Sequence, residues 1–188
     1  MRRQRPSINL TAQLEEVVRD LCARLPEFAH IQPNRLLLCL ARTRGRRGGV
    51  FAKIVPMRFP DGTPFKVIKG LHYALPQIPT PDGEILYLIY IYVPRFFEQP
   101  AERRLLTLIH ELYHIAPAYD GTIRRVGSGA HGASRARFND NLQPLLQRYL
   151  ASAPPAELLA ILHSDFNTLA KDNLLTGRAM ALPKAVEL

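Results

Sequence analysis

Residues 84–93 read EILYLIYIYV, and this stretch decides the fold. Every residue after Glu84 is β-branched, aromatic or leucine, and Pro94 follows. This composition over this length predicts a buried β-strand. Directly after it, residues 99–115 carry the apolar pattern of a helix, which Pro117 brings to an end. The centre of the predicted fold is therefore a strand followed by a helix.

On either side of this unit, the sequence predicts further helices and short strands. Apolar side chains recur at helical spacing over residues 10–25, which predicts an amphipathic helix. Residues 35–41 and 50–57 are short apolar runs, and the glycines between them predict a hairpin with a basic tip. The many prolines of residues 56–81 predict an irregular arm with one short strand at 65–69. Two more helices are predicted near residues 137–150 and 155–171.

Together these elements predict an α+β fold with a small mixed or antiparallel sheet and C-terminal helices. A length of 188 residues fits a single domain. We predict a basic N-terminal tail over residues 1–9, one domain over residues 10–175 and a C-terminal tail over residues 176–188.

The chain is strongly basic. Lysine and arginine outnumber aspartate and glutamate by 25 to 16, and the net charge is +9. Its first fifty residues hold ten arginines and four acidic residues, with the arginines concentrated at residues 2–5 and 42–47. Such a surface favours a polyanionic partner such as nucleic acid, although no helix-turn-helix or zinc-finger spacing is present. The alternative is a soluble basic surface with no nucleic-acid partner.

Several protein classes are disfavoured by the same sequence. The longest apolar run, residues 85–93, is less than half of what a membrane-spanning helix needs. No apolar stretch follows the N-terminal arginines, so we expect no secretory signal, no membrane partner and a cytoplasmic location. Cys22 and Cys39 lie isolated on apolar faces, which predicts reduced core residues. The sequence lacks a phosphate-binding loop and a GxSxG motif, which argues against nucleotide-dependent chemistry and serine hydrolysis.

The predicted helix over residues 99–115 contains an HExxH motif, HELYH at residues 110–114. On a helix, His110 and His114 lie one above the other on the same face, within reach of one metal ion. Glu111 is rotated about 100° from His110, where it can act as a general base toward metal-bound water. The alternative is an accidental match on a core-facing helix, but buried imidazoles and a buried carboxylate are costly without partners. We therefore predict a zinc site.

A catalytic zinc ion needs a third protein ligand, and the sequence offers His131 and Asp120. Asp120 follows His114 at a spacing that mimics the metzincin pattern, but Pro117 stands where that pattern has a turning glycine. His131 lies in a glycine-rich segment that can return to the helix, and nitrogen is a good zinc donor. We predict His131 as the third ligand. Asp120 is the alternative ligand or, with His131 bound, the acceptor for the second N–H of a ligating histidine.

Three segments of the sequence resemble a known family: HELYHI at residues 110–115, YDG at 119–121 and HGASRARF at 131–138. They look like the phage metallopeptidases, which are small zincin-type domains of phage and prophage genomes. The close resemblance covers residues 84–139, and the HGxSR segment is its most specific part. It implies a zincin-like fold with the HExxH helix behind a sheet. It also implies a substrate extended along the edge strand before that helix, here residues 84–93.

The motif and the resemblance together predict a zinc-dependent metallopeptidase that acts on a protein or peptide. Zn²⁺ would be held by His110, His114 and His131, and Glu111 would take a proton from the metal-bound water that attacks a peptide carbonyl. Tyr119 is the candidate for stabilising the oxyanion, because its loop should border the cleft. The second hypothesis is a zinc-stabilised, nucleic-acid-associated binding module without peptidase turnover.

Overall fold

The computed structural model describes residues 5–42, 49–124 and 135–188, with the backbone alone for residues 135–137. Over these ranges the chain is mixed α+β, which confirms the predicted class. Its helices are α1 (Leu10–Arg24), α2 (Ala101–Tyr113), α3 (Arg135–Ala151), α4 (Ala156–His163) and α5 (Phe166–Asp172). Its strands are β1 (Ser7–Asn9), β2 (Leu36–Arg42), β3 (Ala52–Pro56), β4 (Phe65–Ile68), β5 (Leu71–Ala74), β6 (Pro79–Thr80), β7 (Gly83–Glu84), β8 (Tyr87–Val93), β9 (Leu174–Thr176) and β10 (Val186–Glu187).

The apolar strand β8 lies at the centre of a three-stranded sheet. It pairs in parallel with β2, where Leu36 lies opposite Tyr87, and antiparallel with β3, where Ile54 lies opposite Ile89. The predicted hairpin between residues 35–41 and 50–57 is therefore wrong, although both strands form. The physical reason is that β8 is apolar on both faces, so it takes the most buried position and separates the two shorter strands.

The order of the strands also corrects the expected substrate edge. Residues 84–93 were predicted to include the edge strand, but β8 has a hydrogen-bonded neighbour on each side. The strand on the side of α2 is β3. Its Ile54 N–H points away from β8, because it donates to the side chain of Glu111 in α2.

The central sheet is covered on both faces. Apolar side chains of α1, α2, α3 and α4 pack against one face in a continuous core. The other face carries a smaller cluster that includes Cys39, Leu88 and Tyr90. The hydroxyl of Tyr90 donates to the carbonyl of Ala181 at 2.9 Å, so a C-terminal segment closes this face. Cys22 and Cys39 are both free and buried, as predicted.

The outer parts of the fold contain more pairing than the sequence predicted. The short strand expected at residues 65–69 is β4, and it forms a hairpin with β5 through Lys69 and Gly70, whose φ angles are 52° and 80°. The segments predicted as tails also contribute strands, since β1 pairs with β9 and β10 pairs with β5. The single helix predicted over residues 155–171 is two helices. The break occurs because Asp165 caps α5 by accepting the N–H of Thr168 at 2.8 Å.

A buried arginine fixes α2 against its neighbours. Arg104 donates to the carbonyls of Gln99, Leu162 and Ser164, each at 2.7 Å, and also to that of Phe97. Burial lowers the pKa of this guanidinium, and nearby Asp165 opposes that shift. These bonds connect α2 to the turn before it and to the end of α4. They hold the helix that carries the HExxH motif in a fixed position on the sheet.

Candidate metal centre

The last turn of α2 brings the two motif histidines together. His110 lies within the helix and His114 is its C-terminal cap, and both side chains are buried. Their Nε2 atoms lie 3.0 Å apart, and their rings are nearly perpendicular, with centroids 4.7 Å apart. The four-residue spacing on a helix is what places the rings on one face. The Nε2 atoms of both histidines therefore converge on one position.

Two side chains of helix α3 contact the histidine pair. The Oδ1 atom of Asn139 lies 2.6 Å from Nδ1 of His110. The ring of Phe138 stacks on His114 at 5.1 Å and meets His110 edge-on at 4.9 Å. An amide oxygen accepts a hydrogen bond and cannot donate one, so this contact favours the tautomer in which Nδ1 of His110 carries the hydrogen and Nε2 keeps its lone pair. Asn139 thus selects the tautomer of His110 that can bind a metal through Nε2.

The donor set fits a zinc ion. Two imidazole nitrogens at the usual zinc–nitrogen distance in a tetrahedral site lie about 3.3 Å from each other, close to the separation found between the two histidines. Neutral imidazole is also a ligand that zinc prefers. Among the residues that the structure describes, no group of three His, Cys, Asp or Glu side chains could hold a metal ion. The described part of the chain therefore offers two candidate ligands, His110 and His114.

Glu111 lies between this pair and the central sheet. The residue is 4% exposed, and its Oε2 atom accepts the backbone N–H of Ile54 in β3 at 2.8 Å. A carboxylate acceptor satisfies an N–H that points outward from β8. The same bond fixes the orientation of the carboxylate, as a group that transfers protons within a site requires.

A cavity of 370 Å³ opens beside His110 and Glu111. It extends along α2 toward the start of the helix. The side chains around it come from α2, from the segment before it, from the start of β3 and from α3: Phe51, Gln99, Arg103, Leu106, Thr107, His110, Glu111 and Asn139. The predicted base and one predicted ligand are thus accessible from a pocket that can hold a small polar group or part of a peptide.

The loop after α2 turns the chain back toward the histidines. The carbonyl of Thr122 accepts the hydroxyl of Tyr87 at 2.9 Å, and that hydroxyl accepts the N–H of Gly121 at 3.0 Å. Positive φ falls on Tyr119 and on Gly121, at 50° and 84°, whereas Pro117 has no such angle. The N–H of Arg124 then donates to the carbonyl of His114 at 2.7 Å. The chain therefore leaves this loop next to the histidine pair.

The structure does not bring Asp120 to the pair. Asp120 is exposed, and its Oδ1 atom accepts the N–H and the hydroxyl of Thr122 at 3.0 and 2.7 Å. The side chain next to Nδ1 of His110 is that of Asn139, whereas the sequence led us to expect Asp120 at the second N–H of a ligating histidine. The placement gives Asp120 a role within its own turn.

Tyr119 is likewise used by the fold. It is buried, its ring packs against Tyr87 at 5.3 Å, and its hydroxyl donates to the carbonyl of Gln32 at 2.7 Å. Burial raises the pKa of its phenol, with Tyr87 adding to the shift. Tyr119 does not line the cavity beside Glu111. We therefore do not assign the oxyanion to it.

His131 lies outside the described residues, as do Arg44, Arg46 and Arg47 of the predicted basic tip. Asn139 is the site residue that the sequence reasoning missed. A signal for it existed: it directly follows Phe138, the last residue of the segment that resembles the phage metallopeptidases. An asparagine at that point carries no metal-ligand pattern, so spacing alone could not select it.

Comparison with known families agrees with this site. The family described as Putative phage metallopeptidase matches residues 8–140, which is most of the chain. The chain belongs to this family. The matched range contains α2 and ends one residue after Asn139, so it covers every residue of the centre described above. The family name indicates a metal-dependent hydrolase. Comparisons with curated proteins and with solved structures found no match.

Within the described ranges, no helix combines the length and the apolar character needed to cross a bilayer.

Proposed function

We propose that this protein is a zinc-dependent metallopeptidase with a zincin-like arrangement, which hydrolyses peptide bonds. One observation carries the proposal: the Nε2 atoms of His110 and His114 converge at 3.0 Å, with His110 and Glu111 on the wall of one cavity. Membership of the phage metallopeptidase family supports the same activity.

His110 and His114 would hold the zinc ion together with His131. The path of the chain supports His131 as the third ligand. The N–H of Arg124 bonds to the carbonyl of His114, and Phe138 stacks on the ring of His114. Arg124 and Phe138, which flank His131 in the sequence, therefore both lie against His114. A bound zinc ion would supply a Lewis acid that polarises a carbonyl and lowers the pKa of water.

Glu111 would act as the general base. Glu111 lines the cavity and its carboxylate is held in place by the Ile54 N–H, so it could accept a proton from the attacking water. The same carboxylate can return that proton to the nitrogen that leaves when the peptide bond breaks. Asn139 would keep the Nε2 lone pair of His110 directed at the metal position.

An extended substrate would lie along the outer edge of β3. Glu111 accepts the Ile54 N–H on this edge, so the edge passes directly by the proposed base, and Phe51, directly before β3, lines the cavity. Backbone hydrogen bonds along an edge strand are a common way to bind extended peptides. The position replaces residues 84–93, whose strand β8 has no free edge.

The variant Glu111→Gln tests this function. It retains the histidines and the shape of the side chain but removes the base, so it should bind zinc like the wild type and lose at least about 100-fold in hydrolysis. Zinc content is measured by atomic absorption. Cleavage of casein and of a peptide library is measured with and without a chelator. Near-wild-type turnover by Glu111→Gln would show that the assigned mechanism is wrong.

A nucleic-acid-associated binding module is the second candidate. Arg5 and Arg42 line the same cavity of 610 Å³. Arg42 is the last residue of β2, and in the sequence it is followed by the other arginines of the predicted basic tip. Grouped arginines of this kind favour phosphate contacts. Zinc bound at one equivalent with no cleavage across a broad library would favour this candidate over the peptidase.

A further inference from the structure

One stripe of α2 lines the cavity beyond the proposed catalytic residues. Arg103, Thr107 and Glu111 follow one another at four-residue intervals, so their side chains lie on one face of the helix. Gln99, which lies just before α2, also lines the cavity. The cavity therefore leads from Glu111 for about two helical turns toward the start of α2.

The polar groups of this wall differ in how the fold uses them. The Thr107 hydroxyl lies 3.2 Å from Oε1 of Gln99 and 2.8 Å from the carbonyl of Arg103, so it is satisfied within the protein. The guanidinium of Arg103 is exposed and makes no hydrogen bond or ion pair within the described part of the chain. Its neighbour Arg104 is the opposite case, because it is buried and donates to four carbonyls.

Stability gives no reason for a cation at position 103. Arg103 lies in the first turn of α2, where the helix dipole disfavours positive charge. It is also the one lysine or arginine among the described residues that line this cavity. An arginine that makes no hydrogen bond or ion pair with the described residues, at an unfavourable position on the wall of a pocket, is suited to bind an anionic group of a ligand.

We propose that Arg103 is a specificity-determining residue that binds a carboxylate of the peptide substrate. This inference rests on the proposed peptidase function. Eight residues separate Arg103 from Glu111, which corresponds to about 12 Å along a helix. An extended peptide advances about 3.3 Å per residue, so the carboxylate lies three to four residues from the cleaved bond. The site thus selects peptides with an acidic side chain, or a chain end, at that distance.

The experiment scans one acidic residue through a fluorogenic peptide. Glutamate replaces glutamine at each position up to about five residues on either side of the cleaved bond, and each peptide is made with a free and with an amidated C-terminus. The wild type should cleave the glutamate peptide about five- to tenfold faster than the glutamine peptide at one distance, measured as kcat/KM. A preference that follows the free C-terminus instead identifies the chain end as the carboxylate source.

Charge-swap variants connect the preference to Arg103. Arg103→Ala should bring the ratio of kcat/KM for the glutamate peptide to that for the glutamine peptide close to one. Arg103→Glu should bring this ratio below one and should prefer a third peptide that carries lysine at the same position. The matched control is Lys171→Glu, which changes the net charge equally at an exposed position on α5 and should keep the wild-type ratio. High salt should reduce the wild-type ratio, because an accessible ion pair is screened.

Two outcomes overturn the inference: a wild-type enzyme with no charge preference, or a preference that persists in Arg103→Ala and Arg103→Glu.

A binding measurement separates failure of the carboxylate site from failure of the proposed peptidase function. Glu111→Gln and the double variant Glu111→Gln/Arg103→Ala are titrated against the same labelled peptides by fluorescence anisotropy. If nothing is cleaved but Glu111→Gln binds the glutamate peptide more tightly through Arg103, the carboxylate site stands and the peptidase proposal fails. Equal binding of both peptides, or binding of neither, overturns the carboxylate site.

Discussion

The Oδ1 atom of Asn139 lies 2.6 Å from Nδ1 of His110, and this contact decides which nitrogen of the histidine faces His114. The two residues come from different helices, α2 and α3, which pack against each other around Phe138. The contact therefore makes the proposed metal position depend on the docking of α3.

Asn139→Ala should weaken zinc binding by about 10- to 100-fold, because a ligating histidine loses the acceptor that fixes its tautomer and orientation. The measurement is competition with a colorimetric zinc chelator at constant pH. Asn139→Asp is the matched control, since it retains an acceptor oxygen and should bind zinc at least as tightly as the wild type. Equal zinc affinity of Asn139→Ala and the wild type would contradict the role assigned to Asn139.

The sequence alone predicted those features that depend on residues close together along the chain. The unbroken apolar pattern of β8 and the i, i+4 spacing of His110 and His114 both depend on near neighbours along the chain, and both are found in the structure. The pairing partners of β8 are a different matter. Residues 35–41 and 50–57 look like a hairpin in isolation, and only competition for the buried central position separates them.

Contacts between distant residues escaped the sequence reasoning for the same reason. Asn139 is 29 residues from His110, and the carbonyls that Arg104 binds in Leu162 and Ser164 are about 60 residues away. No spacing rule connects such groups, because helix docking brings them together. Asp120 was predicted as a partner for a histidine, but it lies close enough to Thr122 to satisfy its own turn first.

Arg104→Met should lower the free energy of unfolding by about 3–5 kcal/mol, because four buried or partly buried carbonyls lose their donor. Urea unfolding followed by circular dichroism measures the change. The matched control is Arg19→Met on α1, which removes an exposed ion pair with Glu16 and should cost less than about 1 kcal/mol. A loss for Arg104→Met no larger than that of Arg19→Met would show that the carbonyl contacts contribute little.

The basic N-terminal segment should bind nucleic acid in a salt-dependent manner, because each neutralised phosphate releases counterions. The binding constant for a DNA or RNA oligonucleotide, measured by fluorescence anisotropy, should fall steeply between low and physiological salt. Replacing Arg44, Arg46 and Arg47 together by alanine should flatten this slope by up to about three counterions. A matched triple variant at Lys66, Lys69 and Lys171 should leave the slope unchanged. If no oligonucleotide bound at low salt, the basic surface would have no nucleic-acid partner and would serve only solubility.

The third zinc ligand decides between two architectures of the site. His131→Ala should weaken zinc binding by several orders of magnitude, since only His110 and His114 would remain as ligands. Asp120→Ala should leave zinc affinity within about tenfold of the wild type, because Asp120 is exposed and bonds to Thr122 within its own turn. Chelator competition on both variants measures the two losses of zinc affinity directly.

The d–d spectrum of the cobalt-substituted protein reports whether each variant keeps a tetrahedral site. Reversed penalties would assign the third position to Asp120. They would also require the turn around Tyr119 to rearrange when the metal binds, because its present hydrogen bonds keep the carboxylate of Asp120 directed at Thr122.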